Sequence, residues 1–298
     1  MVRRALIALS LFALPFSAAR AEGFDVAMTV DDLPMHGKLP PGMTRLGITE
    51  AHLAAFRKYN VAEAFGFVNA AKVKADGEGG AVLDLWRKGG HPLGNHTHSH
   101  MNLERAPTLQ DWQADVIAGE AAVAERMAGA DWRYLRLAFL NDGGARRDAA
   151  FAFARERGYR IADVSLSFDD WAYTEAYARC VTRGDNAMIA AMKARYLGEV
   201  DAAIVKVKDD SQRVYGRQIP LVLLTHIGGW SAYTLPDVLA RLEKAGARYV
   251  SLAKAQADPA YAAPGGGDMI ARAARAKGIA LAPKAEPSPA LDLASVCQ

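Results

Sequence analysis

The sequence predicts a single α/β domain built on parallel strands. Short apolar runs alternate with helical patterns through six or seven units, and ionisable residues recur where the apolar runs end. Spacing alone leaves two sheets open, a closed barrel or an open doubly wound one, and no internal repeat is visible.

The units follow in order. "FDVAMTV" reads as the first strand, followed after a Pro/Gly-rich loop by the helix "TEAHLAAFRKYN". "AEAFGFVNA" is the next strand, and "GGAVLDLWRKGG" a short helix closed by glycines. "TLQDWQADVIAGEAAVAERMAG" is a longer helix with Thr108 as its N-cap. The strand "WRYLRLAF", the helix "RRDAAFAFARERG" and the strand "YRIADVSLSF" continue the alternation. Residues 172–216 are mostly helical. "IPLVLLTHI" is a strongly apolar strand, "LPDVLARLEKAG" a helix with Pro236 in its first turn, and "ARYVSL" a last strand. From residue 259 the rhythm is lost. The domain is therefore expected over 22–258, with 259–298 a flexible C-terminal extension.

The first 21 residues stand apart. Arg3 and Arg4 precede the apolar stretch "ALIALSLFAL", and Ala19-Arg20-Ala21 fits a small-x-small cleavage site. This is the pattern of a secretory signal peptide, too short in its apolar part to span a bilayer comfortably. The expected location is exported and periplasmic, with no membrane span after cleavage. The net charge of +3 falls to zero once the three arginines of this segment, which has no acid, are set aside. The mature chain gives no charge argument for nucleic-acid or membrane binding. Cys180 and Cys297 are the only cysteines. In an exported protein they either form a disulfide, worth about 4–5 kcal/mol in the chain-entropy model, or remain free.

In parallel α/β folds, reactive side chains gather beyond the strands' C-terminal ends. Asp31 and Asp32 end the first strand, Arg136 lies near the end of "WRYLRLAF", Asp169, Asp170 and Trp171 follow "VSLSF", and His226 ends "LVLLTH". The segment "GNHTHSH", residues 94–100, follows the short run "HPL". Extended, it would aim His96, His98 and His100 the same way; as a helical turn it would pair only His96 and His100.

Order and local pattern together resemble the polysaccharide deacetylases of the NodB-homology type, carbohydrate esterase family 4. Thr29-Val30-Asp31-Asp32-Leu33-Pro34 matches the first motif except at Leu33, where glycine is usual. His96-Thr97-His98-Ser99-His100 matches the second in full. Arg136-Leu137-Ala138-Phe139 matches the third except that Ala138 replaces proline. Asp170-Trp171 and His226 match the fourth and fifth.

The resemblance implies a NodB-type irregular (β/α) barrel as a single catalytic domain. It also implies one divalent metal ion on Asp32, His96 and His100, with His98 outside the set. The donors suit zinc (Zn²⁺), and also iron(II). Amide hydrolysis then needs a base, Asp31, oriented and kept ionised by Arg136, and an acid, His226, charged by Asp170. The backbone N–H of Phe139 is expected at the oxyanion. Strand parity puts Leu224 on the side of His226, where it and Trp171 would line a small acetyl pocket. Trp230 and Tyr233, in the loop after His226, are candidate sugar-stacking residues. Leu33 is expected to narrow the site or to change the substrate's approach, and Ala138 to loosen the oxyanion loop. His36 is a loop histidine near the rim, and His52 and His91 have no chemical role.

The implied substrate is an acetylated carbohydrate, with N-deacetylation as the reaction. An O-acetyl esterase, a non-sugar amidase and an inactive glycan-binding domain are the alternatives. Oligomeric state is not legible.

Overall fold

The structure, a computed structural model, describes residues 23–75, 77–283 and 291–298. The expected signal peptide and residues 284–290 of the expected tail lie outside the described residues. In chain order the elements are β1 (Phe24–Leu33), α1 (Arg45–Lys58), β2 (Ala64–Val68), α2 (Ala70–Ala75), α3 (Gly79–Lys88), β3 (Leu93–Asn95), α4 (Leu109–Met127), β4 (Tyr134–Leu135) and α5 (Arg147–Glu156). There follow β5 (Arg160–Ile161), β6 (Leu166–Ser167), α6 (Thr174–Arg183), α7 (Asn186–Tyr215), β7 (Leu221–His226), α8 (Gly229–Lys244), β8 (Ala247–Tyr249), α9 (Leu252–Gln256) and α10 (Met269–Ala276).

The strands run parallel in the order β5-β4-β3-β2-β1-β7-β6, with β8 on the first residues of β1. All of β1 except Asp25 is buried, as befits a central strand covered on both faces. Helices α1, α3, α7 and α8 contribute to the main core, while Trp112, Val116, Leu135 and Ile161 anchor a smaller one under α4 and α5.

One run decides the shape of the sheet. "YRIADVSLSF", expected as one strand, is two: Ile161 pairs with Leu135 at one edge and Leu166 with Leu223 at the other. Four residues carry the chain between the two edges, so the sheet is curled into the irregular (β/α) barrel of a single domain.

Local chemistry explains the helix starts. Thr108 caps α4 as expected, with Asp111 completing a capping box. By contrast α8 begins at Gly229, so Pro236 lies inside it, not in its first turn. The residues expected to form the loop after His226 are therefore helical.

Residues 259–276 are not a flexible tail. Tyr261, Met269 and Ile270 are buried, and Arg272 pairs with the fully buried Asp163 at 3.0 Å. Cys180 and Cys297 form a disulfide, and Arg179 donates to the carbonyls of Leu293, Ala294 and Val296. Long-range bonds, absent from local composition, order this segment. No helix among the described residues is long and apolar enough to cross a membrane.

Candidate active site

The C-terminal ends of β1, β3, β6 and β7 open onto one cleft of about 1300 Å³. Register fixes the centre: Asp31 is opposite His226 and Thr29 opposite Leu224 across the β1–β7 pair. Asp31, Asp32, His96, His100, Leu224 and His226 all line the cleft.

The histidine segment is neither strand nor helical turn. β3 ends at Asn95, and Thr97 and His100 take left-handed backbones, with φ of 66° and 60°. That loop brings the His96 and His100 rings to 4.7 Å while His98 points elsewhere. Its shape is imposed by partners: Asn95 Oδ1 accepts from Thr97 N–H, Asp115 accepts from Ser99 N–H, and Asn69 donates to the His96 carbonyl. Gly119 lets α4 approach this closely, since a Cβ there would stand 2.5 Å from Asn95 Oδ1.

Asp32 Oδ1 lies 3.6 Å from Nε2 of both His96 and His100. It is buried and accepts no hydrogen bond among the described residues. His96 Nδ1 donates to the Arg136 carbonyl at 2.8 Å, which leaves the Nε2 lone pair facing Asp32. Burial pushes His96 down to about 3 and lowers His100 as well, so both rings are neutral near pH 7. Burial would raise Asp32, but the His36 hydrogen bond and the Lys72 charge hold it well below the usual carboxylate range. One ionised oxygen and two neutral imidazoles around an orphaned buried atom fit a divalent cation. Asp32 itself sits at φ 69°, a conformation costing about 1–3 kcal/mol unless its surroundings hold it.

Asp31 Oδ2 stands 3.6 Å from His96 Nε2 and 3.7 Å from Arg136 Nη1, and Asp31 Oδ1 has no hydrogen-bond partner among the described residues. Burial pushes its carboxyl up to about 6, against the pull of Arg136 and His226. Arg136, fully buried, thus acts in the expected direction but is outweighed by desolvation. Across the cleft Asp170 takes both nitrogens of His226 that face it, the backbone N–H and Nδ1, each at 2.8 Å. Burial works against a charged ring there, yet Asp170, with Asp31 and Asp32, raises His226 to about 9. Asp170, not Asp169, is the partner.

Phe139 and Trp171 stand on the cleft wall, 67% and 53% exposed, the former at φ 59° and 4.4 Å from the His100 ring. Four expectations are corrected. Trp230 is fully buried, stacked on Tyr173 at 5.0 Å, because α8 starts before it and turns it into the core. Tyr233, one turn on, stacks on Tyr177 at the α6–α8 seam and does not line the cleft. Leu33 does not narrow the site either. It is buried and fills the space over Gly66, where a Cβ would meet its Cδ2 at 3.0 Å. His36, expected only near the rim, reaches into the site: its Nδ1 lies 2.6 Å from Asp32 Oδ2. Nothing in its spacing marks it, since the chain must reverse at Pro34 to bring it back.

This geometry agrees with what the chain is similar to. Residues 19–162 match the family model described as polysaccharide deacetylase. The chain shares its fold with solved carbohydrate esterases of family 4. One, from Streptomyces lividans, was solved with acetate; it is 14% identical, with 79% of this chain and 97% of that chain covered and a TM-score of 0.50. PdaA of Bacillus subtilis is 17% identical, covering 80% and 82%, with a TM-score of 0.51. A Bacillus anthracis pseudoenzyme of the family, in a mutant form with restored activity, is 15% identical, covering 79% and 68%, with a TM-score of 0.52. No curated protein matches in sequence. At such identities the likeness is one of fold, and a pseudoenzyme among the relatives means that activity has to be argued from the site.

Proposed function

We propose that this chain is a metal-dependent hydrolase that removes acetyl groups from N-acetylated sugars of a polysaccharide or oligosaccharide. The export pattern of residues 1–21 supports action in the periplasm. The observation that carries the reading is the convergence on one cleft of three donors, an Asp31 whose Oδ1 has no hydrogen-bond partner among the described residues, and an Asp170-held His226. The acetate in the Streptomyces lividans relative supports an acetyl-sized product at such a cleft.

Asp32, His96 and His100 would hold the ion, and zinc would match the donor set. A divalent ion bound there would supply an acidified water and polarise the substrate carbonyl. Asp31, beside that position and with Oδ1 accepting no hydrogen bond among the described residues, takes the proton from the attacking water. Arg136 orients Asp31 from behind. The Phe139 N–H receives the developing oxyanion, and Leu224 and Trp171 flank the acetyl methyl. An amine leaves only when protonated; His226 Nε2 delivers that proton because Nδ1 is committed to Asp170.

Acetate release from N-acetylated chito-oligosaccharides, peptidoglycan and acetylated xylan, before and after chelation, tests this reading. Chelator-sensitive release from the N-acetylated substrates is expected. Release from xylan alone would make the protein an O-acetyl esterase, and bound metal without acetate would point to a non-sugar amidase. Glycan binding that is indifferent to metal, with no acetate, would make it a binding domain.

A further inference from the structure

The two oxygens of Asp32 have different neighbours. Oδ1 faces Nε2 of His96 and His100, whereas Oδ2 is taken by His36 Nδ1 at 2.6 Å, with Lys72 Nζ farther off at 3.9 Å. A carboxylate only accepts, so Nδ1 carries the proton. The His36 backbone is also fixed: its N–H donates to the Ile227 carbonyl at 2.6 Å, closing the loop after Pro34 onto the end of β7. Gly228 leaves room for this, because a Cβ there would stand 3.2 Å from the His36 carbonyl oxygen. The His36 ring lies 4.7 Å from the ring of His226. One side chain therefore touches both the ligand carboxylate and the acid.

We propose that His36 is a positioning residue of the metal site, holding Asp32 Oδ2 so that Oδ1 alone is presented to the ion and bracing the His226 ring beside it. This rests on the assignment of the ion to Asp32, His96 and His100. Asp32, His36 and His226 also converge as a second donor set. Their spacing argues against a shared ion. Two ligands roughly 2.0–2.2 Å from one tetrahedral ion stand well over 3 Å apart, not at hydrogen-bond distance, and His226 Nδ1 is already committed to Asp170. A hydrogen-bond donor behind a ligand carboxylate sets its rotamer and its basicity, and losing such a partner typically weakens metal binding about 10–100-fold.

The experiment measures metal stoichiometry and zinc affinity, by competition with a chelator, for the purified protein and for His36→Ala, His36→Asn and His36→Gln, with His100→Ala as the ligand control. The Asn amide places an N–H where Nδ1 stands; the Gln amide places one where Nε2 stands. One ion per chain is expected in the parent. His36→Ala and His36→Gln should bind it about 10–100-fold more weakly, while His36→Asn recovers most of the loss and His100→Ala loses far more. Equal melting temperatures of the metal-free forms would separate this role from a general packing role. Unchanged affinity in His36→Ala, or no recovery in His36→Asn, would overturn the proposal. So would two ions in the parent with one lost in His36→Ala, which would make His36 a ligand. A parent that binds no ion while His36 variants behave identically would remove the metal assignment itself and this role with it.

Discussion

His91 and His96 lie five residues apart at opposite ends of β3 and are buried almost equally, at 4% and 2% exposure. His91, before the strand, accepts the Ala64 N–H on Nδ1 and packs edge-on against Phe56. Its charged neighbours are Arg57 and Arg87, which add to burial in keeping it neutral. His96, after the strand, anchors Nδ1 on a backbone carbonyl and turns Nε2 toward two carboxylates and a second imidazole. Residue type and depth are the same at both ends. What differs is the free nitrogen: one ring belongs to a packed corner, the other has a lone pair aimed at negative charge in an open cleft. The contrast teaches that the N-terminal end of this barrel is built for stability and the C-terminal end for chemistry.

The sharpest way to break that contrast is at the cleft. Asp31→Asn should lower acetate release by about 10²–10⁴-fold while the chain keeps one metal ion and its melting temperature. Elemental analysis beside the activity assay checks both halves, and near-full activity would remove Asp31 as the base. Asp170→Asn comes next, with about a 10²-fold loss on an amide and a smaller loss on an aryl ester, whose leaving group needs no proton. Equal losses on both substrates would assign Asp170 a purely structural part.

At the other end of β3 the effect should be on stability alone. His91→Ala leaves the Ala64 N–H without its acceptor and should cost about 1–3 kcal/mol in denaturant unfolding, with metal content unchanged. Burial, reinforced by Arg57 and Arg87, pushes His91 down to about 4, whereas an unfolded histidine titrates near about 6.5. Between those values the unfolded chain binds more protons, so this contribution to stability is intact above about pH 6.5 and is lost as pH falls toward 4. Unfolding curves of the parent and of His91→Gln across that window should differ in slope, with the Gln variant flatter. The smallest effect belongs to His98→Ala, which should leave metal content at one per chain. Loss of the ion would restore the three-histidine alternative.

Much of the site was legible because its motifs are local. Two aspartates ending an apolar strand, and two histidines four apart after another, need only correct strand ends to meet. Register across β1 and β7 did the rest for Asp31, Leu224 and His226. The errors share one cause, the contact distant in sequence. The expectations for Trp230 and Tyr233 fail because α8 packs on α6 through Trp230 and Tyr177, far apart in the chain, and begins well before Pro236.

By itself, the sequence determined the alternating α/β plan, the capped helices and the residue types at the strand ends, since each depends on near neighbours in the chain. Tertiary structure alone decided that "YRIADVSLSF" splits to curl the sheet and that the C-terminal segment is pinned by Asp163, Arg179 and Cys180. It alone also decided that His36 returns to Asp32. These outcomes depend on which residues distant in sequence come together, and burial and hydrogen bonding settle that only once the whole barrel has formed.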